Sequence, residues 1–143
     1  MDFRIKGLEG QFINIQVIGY SYPHRNDFWD GNWLICEVRA EIPGFNVKFP
    51  TDLRTDEITS FYDQLVQMYS KMSGSSSLIG LESNVDIQVR MDKLGKLEWQ
   101  VKLTFPSGYG ASLEFQIHSE QSYLIKLIDE IKDIIKNFPI KGK

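Results

Sequence analysis

The chain has 143 residues: 42% hydrophobic, 13% aromatic and 24% charged, with a formal net charge of −3 from 16 basic and 19 acidic residues. That length and apolar content fit one domain with a buried core, and exclude a disordered chain, a collagen-like repeat and a small disulfide scaffold. One cysteine, two histidines and an acidic balance argue against a disulfide, a histidine-rich metal site, a His-dependent triad and a nucleic-acid partner.

The amino terminus, Met1-Asp2-Phe3-Arg4-Ile5-Lys6-Gly7, lacks the apolar stretch of a secretory signal. No run approaches the ~18 apolar residues of a membrane span. The expectation is a soluble cytoplasmic protein with no membrane contact, in keeping with the unpaired Cys36. From Gln11 to Gly19, Ile13, Ile15 and Val17 face one way, and Phe12, Asn14, Gln16 and Ile18 the other. From Trp33 to Ile42, Leu34, Cys36, Val38, Ala40 and Ile42 oppose Ile35, Glu37, Arg39 and Glu41. Such alternation predicts strands with one buried face. Pro43-Gly44 marks a hairpin turn, after which Phe45, Val47 and Phe49 continue the pattern.

The period then changes. Ile58, Phe61, Leu65, Met68 and Met72 recur at three and four residues, which predicts an amphipathic helix of roughly five turns. Thr55 suits its N-cap and Gly74 its C-terminal cap. Ser73-Gly74-Ser75-Ser76-Ser77 reads as a flexible connection. Alternation returns with Val85, Ile87, Val89 and Met91, then with Leu97, Trp99, Val101, Leu103 and Phe105 after a turn at Leu94-Gly95-Lys96. Pro106 to Gly110 is a loop, and Leu113, Phe115 and Ile117 form another inward face. A second helix carries Leu124, Leu127, Ile131, Ile134 and Phe138, with Ser119 as N-cap and Pro139 as stop.

The two halves share an order of elements. Gly7-Leu8-Glu9 is matched by Gly80-Leu81-Glu82, Ile15-Gln16-Val17 by Ile87-Gln88-Val89, and one helical stripe by the other, position for position. The expectation is an α+β fold: an antiparallel sheet of seven or eight strands with both helices on one face, built from a duplicated βββα-type unit. The chain reads as one domain of pseudo-repeat halves, 1–74 and 75–143, each of which needs the other's core.

The loop from Tyr20 to Asn32 holds His24, Asp27 and Asp30, at a spacing that matches no metal-ligand motif. No metal, cofactor or catalytic residue is expected, and no phosphate-binding or nucleophile motif occurs. Cys36 falls on an inward face and reads as a small hydrophobe. The aromatic cluster stands out: Phe28-Trp29-Asp30-Gly31-Asn32-Trp33 places three large rings in six residues, after Tyr20 and Tyr22. Two readings stand side by side, a lid over one end of the core and a recognition loop. In a mixed case, Trp33 is buried and Trp29 exposed.

Four segments together resemble a bacterial family of about this length, the WapI-type immunity proteins. They are Tyr22-Pro23 through Trp33-Leu34, Leu53-Arg54-Thr55-Asp56-Glu57, Glu120-Gln121-Ser122-Tyr123-Leu124 and Phe138-Pro139-Ile140-Lys141-Gly142. The resemblance implies a cytoplasmic antitoxin, not an enzyme. It would bind and occlude the toxic domain of a contact-delivered polymorphic toxin, a nuclease in the type case. Tyr22, Asp27, Phe28, Trp29 and Asp30 are the candidate partner-binding residues. The residues alone also admit a small-ligand-binding module, or a structural or regulatory interaction protein that self-associates. A cleft converging His24, His118 and carboxylates would point to an enzyme.

Overall fold

Each alternating stretch becomes an antiparallel strand, and each stripe at three and four a helix. The computed structural model describes residues 1–142. In chain order the elements are β1 (Asp2–Lys6), β2 (Phe12–Tyr20), α1 (Phe28–Gly31), β3 (Trp33–Ile42), β4 (Phe45–Arg54), α2 (Thr55–Lys71), β5 (Gly74–Ile79), β6 (Val85–Met91), β7 (Lys96–Phe105), β8 (Ala111–Glu120) and α3 (Ser122–Asn137). The fold is α+β. Its eight strands are divided between two four-stranded sheets, β1-β2-β3-β4 and β5-β6-β7-β8, where the sequence suggested one. Alternation assigns each residue a face, but it does not say which strands are neighbours across a helix. Arg54 of β4 passes directly into α2, so β5 starts a new meander instead of pairing with β4.

Apart from the single turn α1, the element order is ββββα twice, one strand more per half than the βββα unit expected. Most inward residues of both sheets join one apolar cluster with the stripes of α2 and α3, but Phe105 and Met72, expected inward, are exposed because each lies at the end of its element. The sheets also touch directly: Phe49 stacks on Phe105 at 5.2 Å, and Thr51 Oγ1 lies 2.9 Å from Asn84 Oδ1. α2 packs along β5, and α3 along β1, so each helix covers the first strand of the opposite half.

Those first strands are sheet edges, which leaves backbone groups to be satisfied. The Ser77 N–H of β5 donates to Gln64 Oε1 of α2 at 3.0 Å. The Arg4 N–H of β1 donates to Glu130 Oε1 of α3 at 3.1 Å. Gln64 and Glu130 occupy the same position in the two helical stripes. Ser77 and Arg4 each lie three residues before the Gly-Leu-Glu turn of their half.

Several local expectations need correction. The serine-rich stretch is strand β5, not a flexible connection, because β6 and Gln64 satisfy its backbone and Ser76 is buried against Met68. The first helix is capped at Arg54 rather than Thr55, which lies inside the helix. It ends on Met72 in the left-handed region (φ 54°), two residues before Gly74. The second helix begins after Gln121, not Ser119. Ser119 remains in β8, where its hydroxyl accepts the Trp99 indole N–H at 3.0 Å.

Candidate functional site

The aromatic loop holds one turn of helix where open loop was expected. Asp27, in extended conformation, caps α1 by accepting the Asp30 N–H at 3.0 Å. Arg25 bridges the two acids, with Nε 3.0 Å from Asp27 and Nη2 3.1 Å from Asp30. The Asp30 N–H, with Arg25 in support, holds the Asp27 carboxyl below its ordinary range. The two candidate acids therefore carry their own counter-ion.

Asn32, fully buried, ties this turn to the C-terminal segment. Its Nδ2 donates to the Phe28 and Lys141 carbonyls at 2.8 and 3.0 Å, and its Oδ1 accepts the Lys141 N–H at 2.8 Å. The Asn32 carbonyl accepts the Thr55 N–H at 2.9 Å, joining the start of α2. Lys141 Nζ lies 3.8 Å from the Tyr20 ring centroid and donates to the Arg25 carbonyl at 3.0 Å. The Tyr20 hydroxyl donates to the Pro139 carbonyl at 2.8 Å. Gly142 adopts φ +69° against the Asp27–Phe28 backbone, where a Cβ would collide.

Arg54 holds the centre. It pairs with Trp33 across β3 and β4, on the sheet face opposite the core, yet its side chain is fully buried. Nη1 donates to the Trp29 carbonyl at 2.6 Å, Nη2 to the Phe28 carbonyl at 2.8 Å and Nε to Asp56 Oδ1 at 2.9 Å. The rings of Phe28, Trp29 and Trp33 surround the guanidinium at 5.0, 5.1 and 5.1 Å. A planar cation with a fork of donors and a stacking face suits this position, and a lysine would not. Below it, Glu57 accepts the Arg54 and Leu81 N–H groups at 2.8 Å each, and burial pushes its carboxyl up.

Three distant segments thus meet at one corner. Of the sequence-selected residues, Asp27, Phe28, Trp29 and Asp30 sit together on α1 and its cap. Tyr22 precedes them, its carbonyl accepting the Arg25 N–H at 3.0 Å. Phe28 and Trp33 are half-buried, whereas Trp29 is 67% and Tyr22 52% exposed. The cluster is therefore part anchor and part exposed surface. It closes over Arg54 on the outer face, not over the core. Ile35 continues that face beyond Trp33, and Ile18 projects beside it from a bulge in β2. Arg54, Asn32 and Lys141 build the site although neither composition nor periodicity marks them. The only signal was that all three lie in the segments carrying the family resemblance.

The other candidates do not converge. His118 lies by the β1–β2 turn, its carbonyl accepting the Leu8 N–H, while His24 lies beyond the far end of β2. Cys36 is fully buried, and burial pushes its thiol up to about 12. Among the described residues no group of three or more His, Cys, Asp or Glu could hold a metal, and no helix is long and apolar enough to cross a membrane. A second apolar surface lies where β4 meets β7 and β8, around exposed Phe45 and Phe105.

The model of the WapI-like immunity protein family matches residues 4–139. The chain belongs to the WapI-like immunity protein family. The match takes in the aromatic loop, the Arg54 segment and α3, and ends at Pro139, the residue that anchors Tyr20. No curated protein sequence matches this WapI-like chain significantly. Among solved structures it is similar to the crystal structures of Trypanosoma bruciei MRP1/MRP2. The TM-score is 0.51 at 10% identity, covering 97% of this chain and 85% of that one. Identity that low shows a shared fold and nothing about partners.

Proposed function

We propose that the chain acts as a cytoplasmic immunity protein that binds and occludes the toxic domain of a polymorphic contact-delivered toxin. Family membership supports a protein toxin as partner. The observation that carries the choice of surface is Trp29, an exposed ring on a rigidly anchored turn. Arg54, Asn32 and Lys141 fix the backbone beneath it, so little ordering cost falls on binding. Trp and Tyr are the side chains most enriched among residues that dominate binding energy. Trp29 and Tyr22 supply the anchors, with Ile18 and Ile35 as flanking apolar area.

Charge plays a smaller part. The net charge is only −3, and Arg25 already pairs Asp27 and Asp30, so steering of a basic nuclease would be weak. Shape and apolar burial should set affinity, and salt should change it little. The test is co-expression with toxic domains of polymorphic toxins, beginning with any encoded beside this gene, followed by purification of the complex. Protection that disappears in Trp29→Ala, with the fold intact, supports the reading; failure to protect or to co-purify refutes it.

A further inference from the structure

The two halves differ at one matching place. In the first half, Leu53 packs against Gly80, and the Glu57 carboxylate sits at the start of α2 accepting two backbone N–H groups. In the helical alignment the counterparts of Leu53 and Glu57 are Ser119 and Tyr123; by the Gly-Leu-Glu match the counterpart of Gly80 is Gly7, which packs against Ile117 and Gln11. A leucine has become a serine and the internal anion is gone. The result is a pocket of about 340 Å³ between the edge of β1 and the start of α3, with Gly7, Ser119 and Tyr123 in its wall.

Its lining is basic in an acidic protein. Lys6 and Lys126 border it, together with Trp99 and the Arg4 backbone, whose guanidinium turns away to Asn14 and the Phe12 ring, and no acidic residue does. Glu130 is the nearby acid, and its Oε1 is committed to the Arg4 N–H. α3 opens at the pocket with Ser122, and its first turn carries no acid. Ser119 is 2% exposed and accepts the Trp99 indole proton, and its own proton has no acceptor among the described residues. The Leu8 N–H, counterpart of Leu81, is already bonded to the His118 carbonyl, so side chains would hold any ligand here.

We propose that this pocket binds a small organic anion, a phosphate monoester or carboxylate attached to about one ring of apolar body. The anion takes the place that the Glu57 carboxylate fills in the other half, held by Lys6, Lys126 and the Ser119 hydroxyl. The apolar body lies against Trp99, Tyr123 and Leu127.

Titration of the full chain with phenyl phosphate and with benzoate, followed by amide and indole NMR, tests this. The expected result is a saturable shift of the Trp99 indole signal, whose proton is bonded to Ser119, and of the Lys6 and Ser122 amides, with the Trp29 indole unmoved. Inorganic phosphate and phenol, each with half of the chemistry, should bind at least about tenfold more weakly. Lys6→Gln and Lys126→Gln alter exposed side chains and should each weaken binding about tenfold, the loss of one hydrogen bond to a charged group. No saturable shift, equal binding of inorganic phosphate or phenol, or unchanged affinity in both lysine variants would overturn the proposal.

Discussion

Arg54 stabilises the corner through bonds that only a guanidinium can make at once. Its removal in Arg54→Met leaves the Trp29 carbonyl without its donor, the Phe28 carbonyl with Asn32 Nδ2 alone and Asp56 without its partner. The expected cost is about 3 kcal/mol or more, and Arg54→Lys should recover only part of it. Urea unfolding gives the number, and a loss below about 1 kcal/mol would mean that the loop is held by other contacts. Cys36 makes the opposite case, a reactive group rendered inert. Its thiol is raised from 9.0 to about 12 by burial, so the folded chain keeps a proton that the unfolded chain loses. Between those values stability should fall as pH rises, because the folded state there binds more protons. A thiol reagent should label Cys36 only after denaturation, and rapid labelling of native protein would contradict its burial.

At the scale of elements, the helices protect the sheet edges as well as filling the core. Gln64→Ala and Glu130→Ala should each expose one edge amide, Ser77 and Arg4 respectively, at about 1–3 kcal/mol. Hydrogen exchange reads this directly: each substitution should speed its own amide and leave the other unchanged. What was legible in the sequence divides along the same line. Alternation and helical stripes are local properties, so Ile13, Ile15, Val17 and the run Leu97–Leu103 took their predicted faces. Ser73 to Ser77 was misread because composition reports backbone flexibility, while pairing with β6 and cover by α2 are tertiary effects. Capping was misread at Ser119 for the same reason, since its hydroxyl was claimed by Trp99, distant in sequence. The aromatic loop was visible as a composition anomaly. The buried Arg54 beneath it was not, because an arginine before a helix ordinarily reads as solvated surface.

For the whole molecule, the exchange of helix cover between halves makes the repeat interdependent. α2 serves β5 and α3 serves β1, so a half expressed alone would carry an uncovered edge and an unpacked stripe. Residues 1–74 and 75–143 should each be unfolded when separate, and the intact chain should unfold in one cooperative transition. Circular dichroism of the separate halves checks this, and native-like spectra from either half would contradict it. The aromatic corner and the β1–α3 pocket draw on different residues, so the two proposed sites can be broken independently. The proposed toxin contact centres on Trp29. Calorimetric titration of the toxin domain identified by co-expression into the wild-type chain and into Trp29→Ala is the direct measurement. The account predicts a saturable complex with the wild type. A loss of about 2 kcal/mol or more is expected in the variant, whose own stability changes by no more than about 1 kcal/mol. Absence of a complex, or equal affinity for the two chains, would contradict it.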